Sequence, residues 1–290
     1  MNTSSTRLRW LAVAGALLVI GGGIAAHQAF FSGVPPLRTD GQWPCKLRYE
    51  MGWNALSCAS FQVRLDRDRY LGKKSIKMSF SGGTLPVIDW AWQYRANGFS
   101  YLDPGSALPY HSLRRTRVED EDKMVVTRFN RAEGTLRSFS IEEQEEGQDS
   151  LTTQCRPGLD LQGAFLYLGR LDWQSRETRT LEVVDEDERY KIVLRRLGRE
   201  RVSVEAGTFD AVKVDLSLRE TGDVEKDEKS ASEKYRTIHV WFSRTQPRVP
   251  VKMQSEVFVG SVGAELTSLC CDAHCGSAQA DGGRPNPVHR

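Results

Sequence analysis

The feature that most constrains this chain is a repeat of apolar residues at every second position, which begins near Cys45 and continues to Val259. For example, Leu47, Tyr49 and Met51 are separated by a charged residue each. Successive side chains of a strand point to opposite faces, so a period of two predicts strands with one buried and one solvated face. Antiparallel sheets commonly have that arrangement. The alternation therefore predicts a mainly β domain with an antiparallel sheet.

Similar alternating runs are spread along the chain, at residues 61–65, 76–80, 88–94, 125–129, 190–194, 212–216 and 238–242. Pairs such as Gly82–Gly83 and Asn97–Gly98 between runs are typical of turns. The arginine-rich stretches 114–117 and 195–201 are interpreted as basic hairpin tips. Residues 160–168 instead have apolar residues at helical spacing with Asp160 placed as a cap, which predicts a short helix against the sheet. Residues 92–101 are a second helix candidate.

The N-terminal residues 1–31 contain an apolar stretch, WLAVAGALLVIGGGIAAHQAFF at 10–31, without a formal charge. As a helix it would reach about 33 Å, enough for a hydrocarbon core of about 30 Å. Arg7 and Arg9 favour a cytoplasmic N-terminus and an exported body. The alternative is a cleaved signal peptide, since small residues occur at Ala25 and Ala26. The expected location is therefore the inner membrane, single-pass with a periplasmic C-terminal domain, or the soluble periplasm after cleavage.

The rest of the chain divides by composition. Residues 32–44 hold three prolines and two glycines, which predicts a linker. Residues 45–269 are the exported β-rich domain, and residues 270–290 are interpreted as a disordered tail that contains cysteines. The 40 basic and 38 acidic residues nearly cancel. Because electrostatic capture needs clustered excess positive charge, this balance argues against broad capture of nucleic acid or of anionic lipid, and we expect no nucleic-acid partner.

No catalytic or metal-binding motif is found in the sequence. It lacks a G-x-S-x-G elbow, an H-E-x-x-H pair and a phosphate-binding G-x-x-x-x-G-K loop. His111 and His239 are the histidines of the predicted domain, and His239 is interpreted as a partly exposed strand histidine. We therefore expect a non-enzymatic protein without a metal or cofactor.

The cysteines are compatible with export, because disulfides form in oxidising compartments. A bridge between Cys45 and Cys58 is disfavoured, since an extended strand would separate them widely. The tail sequence CCDAHC at 270–275 lacks the C-x-x-C spacing of a structural zinc site. Tail disulfides, with Cys45 as one partner, are favoured over zinc; the full connectivity, including that of Cys155, stays open.

Several local patterns together resemble a bacterial envelope family known as domain of unknown function 3108. They are LRYE at 47–50, YRANGFSYLDPGSALP at 94–109, GLD at 158–160, EAGTFDAVKV at 205–214, HVWFS at 239–243 and RVPVK at 248–252. The resemblance implies an exported, β-rich, non-enzymatic domain whose sheet is curved like the half-barrels of lipoprotein carriers. Cys58, where a glycine is expected, and Arg244, where an acidic residue is common, depart from the pattern.

The aromatic residues suggest a binding surface. The candidate apolar wall consists of Trp53, Trp90, Trp92, Tyr94, Phe165 and Tyr167. Aromatic rings on a concave sheet can contact lipid tails or stack on sugars, although they equally suit the plain core of a large sheet.

Three functional hypotheses follow. The first is a membrane-anchored envelope protein that binds an amphiphile, either a lipid or a glycolipid, in a β-sheet cleft without catalysis. The second is a scaffold that an envelope protein partner recognises through a sheet edge. The third is a hydrolase, which would require His111 or His239 beside a serine and a carboxylate.

Overall fold

A computed structural model of the chain describes residues 44–54, 56–142, 148–154, 158–171, 173, 178–185, 188–220, 237–256 and 260–271. Its strands are β1 (Cys45–Trp53), β2 (Leu56–Tyr70), β3 (Lys73–Thr84), β4 (Tyr94–Leu102), β5 (Pro109–Val118), β6 (Glu121–Asn130), β7 (Thr135–Glu142), β8 (Gln148–Gln154), β9 (Thr178–Asp185), β10 (Glu188–Val204), β11 (Gly207–Glu220), β12 (Thr237–Ser243), β13 (Pro250–Glu256) and β14 (Ser261–Cys271). Two short helices are α1 (Pro86–Asp89) and α2 (Leu161–Arg170). The predicted mainly β class and the helix near residue 160 are confirmed.

The strands form one 14-stranded sheet in the order β8-β7-β6-β5-β4-β3-β2-β1-β14-β13-β12-β11-β10-β9. The chain thus runs outward from β1 to one edge, crosses over, and returns through β9 to β14 beside β1. All neighbouring pairs are antiparallel, as the alternation predicts. The first and last described strands therefore lie together at the centre of the sheet.

The sheet is strongly curled but does not close into a barrel, because β8 and β9 are its two edge strands. Leu159, which precedes α2, lies along the edge of β9: its amide donates to the carbonyl of Glu182 at 3.2 Å, and its carbonyl accepts from Val184 at 2.8 Å. Leu136 of β7 packs with Val184 of β9. The two ends of the sheet thus approach each other around α2, whose buried face completes the core on the concave side.

Several predicted local structures are wrong. Residues 92–101 lie mostly in β4, where the alternate residues Tyr94, Ala96 and Ser100 are buried, so the period of two prevails over the weak helical spacing. Residues 88–93 of the predicted run 88–94 are not a strand, because α1 begins at Pro86 and a turn follows it, and β4 begins only at Tyr94.

Four predicted turns or tips are also strand interiors. Gly82–Gly83 lies inside β3 and Asn97–Gly98 inside β4. A Cβ at Gly82 would overlap the backbone of β2, so close strand packing explains this glycine better than a turn does. The arginines of 114–117 lie in β5, and those of 195–201 flank a bulge between Arg196 and Gly198 inside β10.

A disulfide joins β1 and β14, the first and last strands of the sheet in sequence order. Cys45 of β1 lies directly opposite Cys271 of β14, and the two sulfurs are bonded. The predicted bond between Cys45 and a tail cysteine is confirmed, and β14 extends two residues past the boundary predicted at 269. Cys58 is a free thiol. The Cys45–Cys58 bond is absent, as predicted, but residues 45–58 form a hairpin that turns near Asn54 instead of one extended strand.

Residues 1–43 and 272–290 lie outside the described residues, and with them the predicted leader, nearly all of the linker and most of the tail. Among the residues that the structure describes, no helix has the length and apolar character needed to cross a bilayer.

Candidate functional site: an apolar cleft beside helix α2

Helix α2 owes its position to its N-terminal cap. Asp160 accepts a hydrogen bond from the backbone amide of Gly163 at 2.7 Å, which satisfies one of the free amides of the first turn. The second oxygen of the same carboxylate accepts a hydrogen bond from the hydroxyl of Ser100 at 2.5 Å. Both Ser100 and Asp160 are buried. One carboxylate therefore caps the helix and ties it to β4.

Two glycines allow the helix to pack closely against neighbouring loops. A Cβ at Gly163 would lie 2.5 Å from the carbonyl oxygen of Ala107, and a Cβ at Gly169 would overlap the carbonyl oxygen of Arg248. The buried guanidinium of Arg170 donates to the carbonyl of Gly105 at 2.5 Å, and burial lowers its pKa. The helix is thus held at both ends by backbone contacts.

Asp103 organises the loop that contacts the helix. Its carboxylate accepts hydrogen bonds from Tyr110 at 2.7 Å and from the Ser106 amide at 2.8 Å, and it forms an ion pair with Arg131 at 3.2 Å. Burial raises the pKa of Asp103, but these hydrogen bonds and the positive charge of Arg131 outweigh burial and lower the pKa to about 2. The loop is therefore fixed by a carboxylate that stays charged.

An apolar cleft of about 120 Å³ lies between α2 and the concave face of the central strands. It is lined by Tyr49, Met51, Phe61, Val63, Met78, Phe80, Leu161, Gln162, Phe165, Met253 and Ala264. Leu161 and Phe165 are one turn apart and so share the helix face that covers the cleft. The volume is close to the roughly 150 Å³ of an engineered apolar cavity that binds benzene.

The cleft has little polar character. The hydroxyl of Tyr49 donates to the carbonyl of Pro250 at 2.9 Å, and burial raises the pKa of Tyr49 far above its ordinary value. This hydroxyl therefore remains neutral and satisfied at physiological pH. Gln162, which is only partly buried, is the other lining residue with a polar side chain. The cleft is suited to hydrocarbon, with polar groups confined to its margin.

Methionine is concentrated in this lining. The chain has 5 methionines, and Met51, Met78 and Met253 all contact the cleft. The unbranched thioether side chain adapts to irregular shapes and is common on surfaces that accept varied apolar partners. The lining can therefore adjust to hydrocarbon of more than one length.

Of the six aromatic residues predicted to form the wall, only Phe165 lines the cleft. Tyr167 is buried elsewhere on the helix, and Trp53 lies at the end of β1 opposite Val262. Trp90 is 85% exposed in the turn after α1, since that segment is not a strand. These three residues are not part of the cleft.

Trp92 and Tyr94 lie next to the cleft without lining it. Their rings stack at 5.5 Å, and the buried Tyr94 contacts Phe61 of the lining at 6.5 Å between ring centroids. Both residues belong to the hydrophobic cluster beside the lining. Of the six residues of the predicted wall, the structure thus brings only Phe165 to the cleft, and their role in ligand binding stays a prediction.

The predicted wall omitted most of the lining because its residues were chosen for being aromatic. The buried positions of the first three strands, such as Tyr49, Phe61 and Met78, were already marked by the period of two. Which of these positions faces a cleft instead of solid core depends on where α2 crosses the sheet. That crossing is set by contacts far apart in the sequence, such as Ser100 with Asp160.

A second, polar depression of about 380 Å³ lies around the backbone of Gly52 and Gly263, which pair across β1 and β14. Glu50 and Glu265 also pair there, and Glu265 forms an ion pair with Lys252 at 2.6 Å. Glu50 accepts a hydrogen bond from the hydroxyl of Ser57 at 3.1 Å, so both carboxylates already have partners within the protein, which favours the apolar cleft as the candidate site.

The two histidines of the described sheet contact a carboxylate and a backbone carbonyl. His239 lies 3.0 Å from the carboxylate of Asp215, which also binds Arg195, while His111 contacts the carbonyl of Thr127 at 3.1 Å. Neither ring has a hydrogen bond to a serine hydroxyl among the residues that the structure describes. In the same part of the chain, no group of three potential metal ligands converges.

The fold and the cleft together define a class of protein in which an open, curled antiparallel sheet wraps around one internal helix. The chain belongs to the family described as "protein of unknown function (DUF3108)", whose model matches residues 48–267. The suspected family is therefore confirmed over nearly the whole sheet. Comparison with curated proteins finds no match.

Three solved structures are similar to this chain at low sequence identity, and of these three the first alone has a TM-score above 0.5. A β-barrel-like protein with a domain of unknown function, DUF1849, from Brucella abortus is 8% identical, with a TM-score of 0.53 over 79% of this chain and 97% of that one. A protein from Parabacteroides distasonis, inferred to be a lipoprotein, is 12% identical, with a TM-score of 0.31 over 82% and 98%. A Bacteroides fragilis protein with a YmcC-like fold, inferred to be exported, is 10% identical, with a TM-score of 0.30 over 79% and 99%.

Proposed function

We propose that this chain is an envelope protein that holds the hydrocarbon part of an amphiphile, a lipid or glycolipid, in the cleft beside α2 without catalysing a reaction. The observation that carries the proposal is the cleft itself. Its lining is almost wholly apolar, includes three methionines, and is covered by a helix that is fixed at both ends. Binding sites for apolar ligands have this combination of apolar walls and few polar groups.

Two features support an exported location. The bond between Cys45 and Cys271 suits an oxidising compartment, because cytosolic thiols are usually kept reduced. The apolar stretch at 10–31, preceded by Arg7 and Arg9, suits an anchor or signal that delivers the sheet to the periplasm. We propose a single-pass inner-membrane protein, with a soluble periplasmic form as the alternative.

The test is photocrosslinking of the full chain in bacteria fed a fatty acid that carries a diazirine in its acyl chain. We expect crosslinked peptides that contain Met51, Met78, Phe165 or Met253. Ala264→Leu fills the cleft and should reduce these crosslinks several-fold, whereas Ala132→Leu in an exposed turn should not. Unchanged crosslinks in the Ala264→Leu variant would contradict the proposal.

A second variant covers the case in which the added side chain of Ala264→Leu disturbs folding, since overpacking costs about 1–3 kcal/mol. Gln162→Glu places a carboxylate at the margin of the cleft, near the helix N-terminus, where a negative charge is tolerated. It should also weaken crosslinking to acyl chains. Gln62→Glu makes the same change on the opposite face of the sheet and is the matched control.

The scaffold hypothesis retains one supporting observation. Among the described strands, none pairs with the outer edge of β8, and an open edge can accept a strand from another protein. The same crosslinking experiment separates the two functions. A stoichiometric protein adduct without lipid adducts in the cleft would favour the scaffold.

A further inference from the structure

The convex face of β4 to β7 carries a row of apolar side chains. Phe99 pairs with Leu113, Leu113 with Val126, and Val126 with Phe139, so the four residues follow one line across four adjacent strands. All four are partly exposed. Strands lie about 4.8 Å apart, so the row extends about 14 Å. Ile141 on the same face of β7 is 42% exposed and continues the apolar surface beside Met124.

The core does not explain this row. The neighbours of Phe99, Val126 and Phe139 that point to the concave side are Ser100, Thr127 and Ser138, and these three are buried. The hydroxyls of Thr127 and Ser138 lie 3.3 Å apart and satisfy each other. Beside this row, small polar residues face inward while the larger apolar side chains of the row face outward, although Val125 and Leu136 of the same strands also face inward.

A second row of aromatic and basic residues runs beside the first. In register across β3 to β7 it consists of Lys77, Tyr101, His111, Arg128 and Arg137. The ammonium group of Lys77 lies 5.0 Å from the centre of the Phe99 ring and 5.4 Å from that of Tyr101. The surface therefore combines cations, aromatic rings and aliphatic side chains within two adjacent rows.

The pairing of Arg128 with Arg137 places two exposed like charges directly opposite each other, which is unfavourable in an isolated sheet. Neither guanidinium forms an ion pair with a residue that the structure describes. The nearby carboxylates of Asp66 and Asp103 are bound to Arg64 and Arg131. The two arginines thus offer positive charge to an external anion.

We propose that this convex face of β3 to β7 docks on the surface of an anionic lipid bilayer. The cations would contact lipid phosphates, and the aromatic and apolar rows would enter the interfacial region, where such amphipathic surfaces bind. Charge complementarity supports this occupant, and the adjoining apolar row favours a bilayer over a purely polar polyanion. The docking surface is separate from the cleft and would hold this side of the sheet against the membrane.

The test uses the full chain reconstituted in phosphatidylcholine vesicles with and without phosphatidylglycerol. A photocrosslinking amino acid replaces Ile141 or, as a control, Leu197 in the other half of the sheet, which is equally exposed at 41%. We expect lipid crosslinks at position 141 to exceed those at position 197 several-fold, and only when phosphatidylglycerol is present. Equal yields at both positions would overturn the proposal.

The double variant Arg128→Gln/Arg137→Gln tests the cations. Each basic residue at an anionic surface contributes about fivefold in affinity, so the variant should reduce lipid crosslinking at position 141 to the level at position 197. Arg199→Gln/Arg201→Gln removes two exposed charges from β10 and should have no effect. An unchanged yield in the first variant, or crosslinks in cells mainly to a protein, would overturn the proposal. Ala264→Leu should leave lipid crosslinking at position 141 unchanged, whether or not the cleft binds lipid. The docking proposal and the cleft proposal can therefore fail separately.

Discussion

Ser100 donates a hydrogen bond to Asp160 across 2.5 Å, and through it β4 holds the first turn of α2. The two residues are 60 positions apart in the sequence, and both are buried. The position of the helix determines whether the space above Tyr49 and Phe61 is an open cleft or solid core. This one contact therefore connects the stability of the fold to the candidate binding site.

Asp160→Ala should destabilise the protein by about 2–3 kcal/mol. The variant removes the N-cap, which contributes about 1 kcal/mol, and leaves the buried Ser100 hydroxyl without its acceptor. Urea unfolding followed by circular dichroism measures the change. Asp120→Ala, in an exposed turn, should change stability by less than about 0.5 kcal/mol. Equal effects of the two substitutions would contradict the role of the cap.

Gly169→Ala tests the fit of the helix against the loop at Arg248. Alanine normally stabilises a helix by about 1 kcal/mol relative to glycine, but here its Cβ would overlap the carbonyl of Arg248. We expect a net loss of about 1–3 kcal/mol in the free energy of unfolding. Gly198→Ala is the matched control, because a Cβ there meets nothing within 4 Å. A stabilised Gly169→Ala protein would show that the helix does not contact this loop.

The disulfide between Cys45 and Cys271 should stabilise the sheet, because it joins residues separated by 226 positions. The double variant Cys45→Ser/Cys271→Ser should lose about 2–5 kcal/mol, measured as a lower Tm. Cys58→Ser removes the free thiol and should leave Tm unchanged. Peptide mapping without reduction should recover Cys45 linked to Cys271, and a linkage of Cys45 to Cys58 would contradict the structure.

The loop at Asp103 should make stability depend on pH at the acidic end. The pKa of Asp103 is lowered from 3.8 to about 2 in the folded state, so its contribution is present above the unfolded pKa and is lost as pH falls from about 4 to about 2. At neutral pH the contribution is about 2 kcal/mol. Asp103→Asn should therefore be less stable than the parent at pH 7 and about equal to it at pH 2. A pH-independent difference in urea unfolding would contradict this assignment.

The sheet was predictable from the sequence because its signal is local. Alternation in stretches such as Leu47, Tyr49 and Met51 reports which side chains share a face, and each strand of β1 to β3 buries those positions. The helix was also predictable, because the cap at Asp160 precedes its apolar spacing directly. The positions of Gly82 and Gly98 inside strands were not predictable, since these glycines allow contact between strands that only the assembled sheet brings together.

The cleft could be predicted only in part. Phe165 was chosen because it is aromatic, and it does line the cleft. Trp90 was chosen on the same grounds but lies in an exposed turn, because Pro86 starts a helix where alternation indicated a strand. The three methionines of the lining were not recognised as a group, since only the folded sheet brings them together around the cleft. That meeting depends on β13 returning beside β14 at the centre of the sheet.

The most direct test of hydrocarbon binding in the cleft is methyl NMR of the full chain with labelled methionines in lipid nanodiscs, titrated with octanoate. We expect saturable shifts of the methyl resonances of Met51, Met78 and Met253, and none for Met124 on the convex face. Ala264→Leu should abolish the three shifts. Unshifted resonances, or equal shifts at all four methionines, would show that the space beside α2 does not bind hydrocarbon.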